Sequence, residues 1–133
     1  MTEEKRIKDY KDLRVWQKAL EVVCDVIDLV DALPAGPASK VIGRQIIESS
    51  TSVCANTAEG HSSGSNKEFN RILKIAFRES KETDNWLQII KTSKKLAQKE
   101  IIRLAENIEE KNIIVLKMLV SLRKSIQNRA EKK

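Results

Sequence analysis

Residues 65–90 read SNKEFNRILKIAFRESKETDNWLQII, and this stretch decides the fold class. Ser65 with Glu68 three positions on has capping-box spacing, in which each residue satisfies an orphan amide at a helix start. Phe69, Ile72, Leu73, Ala76, Phe77, Ser80, Thr83, Leu87 and Ile90 follow the three-and-four rhythm that puts side chains on one face of a helix. The reading predicts a helix over about 66–94.

The same rhythm extends outward. Leu13, Trp16, Leu20, Val23, Ile27 and Val30 predict a helix over about 11–33, with this stripe in the core. Val15, Val22 and Leu29 form a second stripe beside it, and Glu21, Asp25, Asp28 and Asp31 mark a wet face. Pro34-Ala35-Gly36-Pro37 ends that helix in a tight turn. A second helix covers about 38–59, with a small, polar centre at Ser49-Ser50-Thr51-Ser52, and Gly60 to Gly64 connects it to the third. Ile101, Leu104, Ile108, Val115, Leu119, Leu122 and Ile126 predict a fourth helix over about 99–128, with Lys111 or Asn112 filling a gap in its seam. No Gly or Pro separates helices three and four. The break is placed there because one uninterrupted helix would be unusually long for a compact domain.

Composition agrees. The 133 residues suit one domain, 1–133. Two Pro, four Gly and 4% aromatics leave too little turn and strand material for a β fold. Four amphipathic helices with short connections predict an all-α, antiparallel up-down-up-down four-helix bundle. Val15, Val22, Leu29, Ile114 and Met118 fall off the main seams. That surplus points to burial against a second copy, a homo-oligomer interface; the alternative is a broad core-facing arc. Trp86, off the centre of its stripe, is expected to touch another subunit or to offer a platform for a base. Cys24 and Cys54, without a C-x-x-C or a Cys/His cluster, are expected to be reduced, buried thiols of a cytoplasmic protein. A charged N-terminus excludes a visible signal peptide, and no apolar run approaches a membrane span.

The net charge of +6 permits a polyanionic partner. Lys67, Arg71, Lys74, Arg78 and Lys81, spaced by 4, 3, 4 and 3, fall in one narrow stripe opposite the apolar face of helix three. Like charges so placed repel within a helix, whereas a phosphate backbone gains from them by counterion release. The competing reading is a solvated face edged by Glu68, Glu79 and Glu82. Arg123, Lys124, Arg129, Lys132 and Lys133 form a second basic cluster that could clamp RNA or DNA without sequence preference; the alternative is dipole-matching charge and a solubilising end of the helix. Asn56, Glu59 and His61 invite an acid–base reading, but no nucleophile, second carboxylate or metal ligand keeps spacing with them. They read as structural, Trp16 reads as a core residue, and neither metal nor cofactor is expected. The Gly60–Gly64 loop lacks the lysine and spacing of a P-loop.

Asp12-Leu13-Arg14-Val15-Trp16-Gln17-Lys18-Ala19 resembles the opening of the bacterial four-helix bundle protein family, whose founding members are encoded in intervening sequences of large-subunit ribosomal RNA genes. Some of its members are labelled ribosomal-protein-like. Gln45-Ile46 and Ser52-Val53-Cys54-Ala55-Asn56-Thr57-Ala58-Glu59-Gly60 are similar to that family's Q-I and S-I-x-A-N-I-A-E-G. Lys67-Glu68-Phe69, Leu73, Ile75-Ala76 and Glu82 continue in register. The resemblance implies a bundle that assembles into a ring, pentameric in relatives. It also implies kinship with the accessory variability determinant of diversity-generating retroelements, which binds nucleic acid and partners a reverse transcriptase. The chain departs from the pattern at Ile47 and Glu48, where relatives often carry basic residues, and at Thr57, which replaces an aliphatic one.

The expectation is therefore a non-catalytic, oligomeric nucleic-acid-binding accessory protein, with RNA preferred over DNA. The alternative is a protein-interaction scaffold or an accessory subunit of a reverse transcriptase.

Overall fold

A computed structural model describes residues 8–131 of the chain. The charged segment before Lys8 and the pair Lys132 and Lys133, which figure in the expectations above, lie outside the described residues. Ser65 caps the third helix as its spacing predicts, its hydroxyl accepting from the Glu68 amide at 3.1 Å. Glu68 does not close the other half of the box; its carboxylate accepts from the Arg71 guanidinium one turn on.

Four helices follow a 3-10 turn at Tyr10–Asp12: α1 Arg14–Ala32, α2 Pro37–His61, α3 Asn66–Thr92 and α4 Lys99–Glu131. The described residues contain no strand. α1 starts three residues later than its periodicity predicts. Asp9 accepts from the Lys11 amide at 3.0 Å and builds a separate capped turn, after which Leu13 is extended. Gly36, at φ 147°, makes the turn before α2 with a backbone that L side chains rarely adopt, and Pro37 begins the helix. The break between α3 and α4 needs neither Gly nor Pro. Ser93 is extended, its carbonyl accepts from the Ala97 amide at 2.8 Å, and Leu96 is driven into the core at 3% exposure. Burying one leucine there turns the chain.

Each helix packs against its neighbours in sequence, and α1 also packs against α4, while among the described residues the backbones of the diagonal pairs stay apart. That is the up-down-up-down bundle. Val26, Leu29, Ile46, Leu73, Leu87, Ile90, Ile108, Val115 and Leu119 form its fully buried centre. The core side of α1 differs from the expectation. Val15, Val22 and Leu29, expected as surplus surface for a second subunit, lie inside the chain's own core with Ala19 and Val26. Leu20 and Ile27, expected in the core, are 40% and 51% exposed. The apolar arc of α1 is wider than its two neighbours can cover, and α4 draws it towards Val22. Lys111 of α4 reaches Asp25 at 2.7 Å and Glu21 at 3.8 Å, so part of the expected wet face edges this contact. Cys24 is likewise exposed rather than buried, and Cys54 is half-buried; both are free thiols. Burial, with Cys24 nearby, pushes the Cys54 thiol up to about 11.

In the polar centre of α2, Ser50 and Thr51 donate to the Ile47 carbonyl of their own helix, and Ser49 meets a partner on α3. Ser49 and Thr83 hydroxyls stand 2.8 Å apart. Ser80 donates to Asn112 Oδ1 at 2.9 Å, and Asn112 Nδ2 donates to the Ser80 carbonyl at 2.9 Å. Asn112, not Lys111, fills the gap in the α4 seam, and it is satisfied there.

Gly60 lets α2 and α3 approach closely: a Cβ there would sit 2.7 Å from Phe69 Cδ1 and 3.1 Å from Cε1. Gly60→Ala is expected to lower stability by roughly 1–3 kcal/mol through overpacking, read as a reduced urea midpoint at unchanged slope. A second prediction concerns Glu109, which joins α4 to α3 by a 3.0 Å ion pair with Lys91 and a hydrogen bond from Gln88. Partial burial raises its pKa, but the bonds from Gln88 and Lys91 and the Lys91 charge outweigh that and hold it below the ordinary 4.5. A folded-state value below the unfolded one gives stability that is present above the unfolded value and lost as pH falls through the folded one. The stability gap between the native chain and Glu109→Gln should therefore narrow on acidification below pH 4.5. A gap independent of pH would count against this ion pair.

Candidate nucleic-acid interface

The basic residues of α3 point outward because the opposite face of the helix fills the core. Lys67, Arg71, Lys74, Arg78 and Lys81 are all exposed. With a rise of about 1.5 Å per residue, they form a line roughly 20 Å long. Their charges are not equally available. Arg71 holds Glu68 in an i,i+3 ion pair; its hydrogen bond and charge keep the Glu68 carboxyl below its usual range and raise the Arg71 guanidinium in turn. Arg78 stands beside Glu79, whose carboxyl is raised by burial first and by the neighbouring Glu82 second. Lys74 and Lys81 make no ion pair among the described residues.

Antiparallel packing brings α4 alongside this line. Phe77 and Lys81 of α3 and Leu116, Lys117, Val120, Ser121 and Lys124 of α4 line one open groove of about 430 Å³. Its floor is apolar, its rim carries three lysines, and its lining includes no carboxylate. Lys124 thus joins the α3 cations, which its place near the end of the chain did not foretell. Lys117 is a residue that sequence reasoning missed. The available signal was its position seven residues before Lys124, two turns along the same face.

The rest of the C-terminal cluster is split up. Arg123 is half-buried, and its Nε donates to Asn70 Oδ1 at 3.3 Å, so it ties α4 to α3. Arg129 Nε donates to its own helix at the Ser125 carbonyl, at 3.4 Å. Arg129 lies five positions after Lys124, which puts the two on different faces of α4.

The motif residues of α2 and the aromatic candidates take structural places. Asn56 Nδ2 donates to the Ser52 carbonyl at 2.8 Å. Glu59 is exposed, Gln45 half-buried and Gly60 buried. His61 meets the Phe69 ring edge-on, at 6.2 Å between centroids. Trp16 is half-buried, with Tyr10 packed on it edge-on at 5.1 Å. Trp86 packs against the chain's own core with its indole nitrogen buried and unpartnered. Met118 is also half-buried against the core, while Ile114 is 39% exposed. Among the described residues no three His, Cys, Asp or Glu side chains gather as a metal-binding group. No helix among them is long and apolar enough to cross a membrane.

Comparison with known proteins agrees with this architecture. The crystal structure of a protein of unknown function from the S23 ribosomal protein family of Bacteroides thetaiotaomicron VPI-5482 superposes with a TM-score of 0.70 at 29% identity. The match covers 83% of this chain and 95% of that one. No curated protein matches. The profile of the 23S rRNA-intervening sequence protein matches residues 11–121, most of the chain and all of α1, α2 and α3. The chain therefore belongs to the 23S rRNA-intervening sequence protein family.

Proposed function

We propose that this protein is a non-catalytic nucleic-acid-binding accessory protein of the cytoplasm that holds RNA, in preference to DNA, by its phosphates. The observation that carries the reading is the exposed row of Lys67, Lys74, Arg78 and Lys81 on α3, which meets Lys117 and Lys124 of α4 at the groove. A bundle gains no stability from such a line of like charges, and a phosphate backbone does gain from it. Membership of a family named for ribosomal RNA genes favours RNA as the polyanion. Contacts of this kind position a strand without reading its sequence.

A second reading has its own observation. Leu20 and Ile27 of α1 and Val41 of α2 are 40%, 51% and 59% exposed. Exposed apolar side chains on these two packed helices favour a protein contact, whether a second copy in a homo-oligomeric ring or another partner such as a reverse transcriptase. A ring would repeat the cationic surface and add avidity for a long strand.

Binding of a fluorescent RNA, followed by anisotropy across a salt series, tests the first reading. Each neutralised phosphate of a single strand contributes a slope of about −0.7 in log K against log salt. Reversing Lys74, Arg78 and Lys81 to Glu should weaken binding at least tenfold, by about 1.4 kcal/mol or more, and flatten the slope by roughly 2 units. Unchanged affinity would remove this surface from the function. The mass in solution by light scattering tests the second reading: an oligomer that Ile27→Glu dissociates is expected, and a native monomer overturns the ring.

A further inference from the structure

The charged face is more than a line of cations, because the groove beside it has an apolar floor. Phe77 and Leu116 are half-buried and Val120 is 38% exposed, and together they line the cleft beneath Lys81, Lys117 and Lys124. The groove is open and measures about 430 Å³. Electrostatics alone would need neither the floor nor the cleft.

We infer that this groove is a base pocket that makes the protein select single-stranded nucleic acid over duplex. The inference rests on the nucleic-acid reading above and deepens it. A duplex presents phosphates outward and keeps its bases stacked inside. It could touch the lysine rim, but it would leave the apolar floor wet. An unpaired base presents an apolar π-face, which gains by covering Phe77 and Val120 while its flanking phosphates lie against Lys81, Lys117 and Lys124. Arg78 and Lys74 of α3 then continue the track, about 4.5 Å and about 10.5 Å from Lys81 along the helix axis. An acidic peptide would satisfy the same rim. The apolar floor, which an acidic peptide's carboxylates would leave uncovered, favours a strand that carries bases.

The test uses the full chain, a 20-nucleotide mixed-sequence RNA and the duplex of the same sequence, at one salt concentration. The single strand should bind at least about tenfold tighter than the duplex. Val120→Ser, an exposed position that leaves the core untouched, should bring the single strand down towards the duplex value, and Phe77→Leu should do so in part. Lys117→Gln should weaken both forms. A 4-thiouridine in the RNA should crosslink to peptides from residues 66–81 or 112–126. Equal affinity for both forms, sensitive to reversal of Lys74, Arg78 and Lys81 but not to Val120→Ser, would overturn the base pocket and leave the phosphate-binding reading standing. No binding of either form would remove both. A 20-residue polyglutamate that displaces the RNA equally well from the native chain and from Val120→Ser would show a groove that reads charge alone, and would overturn the pocket.

Discussion

Asn112 is buried on α4 and exchanges two hydrogen bonds of 2.9 Å with Ser80 of α3: its Oδ1 accepts from the Ser80 hydroxyl, and its Nδ2 donates to the Ser80 carbonyl. A buried amide without partners is strongly destabilising, so this pair permits one register between the two helices and penalises its neighbours. A slip of one turn, about 5.4 Å, would leave Asn112 unsatisfied in an apolar layer. It would also move Lys81 out of line with Lys117 and Lys124. The interaction that locks the fold therefore also assembles the cationic groove.

Small residues complete the constraint on the other side of α3. Ser49 meets Thr83, and Gly60 admits the Phe69 ring. These contacts set how close α2 comes to α3, and with it which face of α3 is left for solvent. The charges of Lys67, Lys74, Arg78 and Lys81 follow from that rotation. The ion pairs Lys91–Glu109 and Lys111–Asp25 clamp α4 to α3 and α1 at its middle, which leaves its C-terminal half to carry Lys117 and Lys124.

Much of the fold was legible in the chain. The spacing of Phe69, Leu73, Ala76, Ser80, Leu87 and Ile90 identifies α3 and its buried face, and Ser65 identifies its start. The stripe from Lys67 to Lys81 is equally readable, because residues on one helix keep their angular positions whatever surrounds them. α1 is the instructive failure. Leu20 and Ile27 continue the periodicity of Leu13 and Trp16 as well as Val22 and Leu29 continue that of Val15, so the pattern cannot say which edge of a wide apolar arc faces in.

The sequence by itself determined four helices, their approximate limits and the cationic side of α3, since these depend on residues a few positions apart. Tertiary structure decided the rest: that Val15, Val22 and Leu29 belong to the core, that Arg123 is spent on Asn70, and that Lys117 and Lys124 stand over Phe77. Those outcomes depend on residues on different helices, brought together by packing in a register that buried polar pairs select.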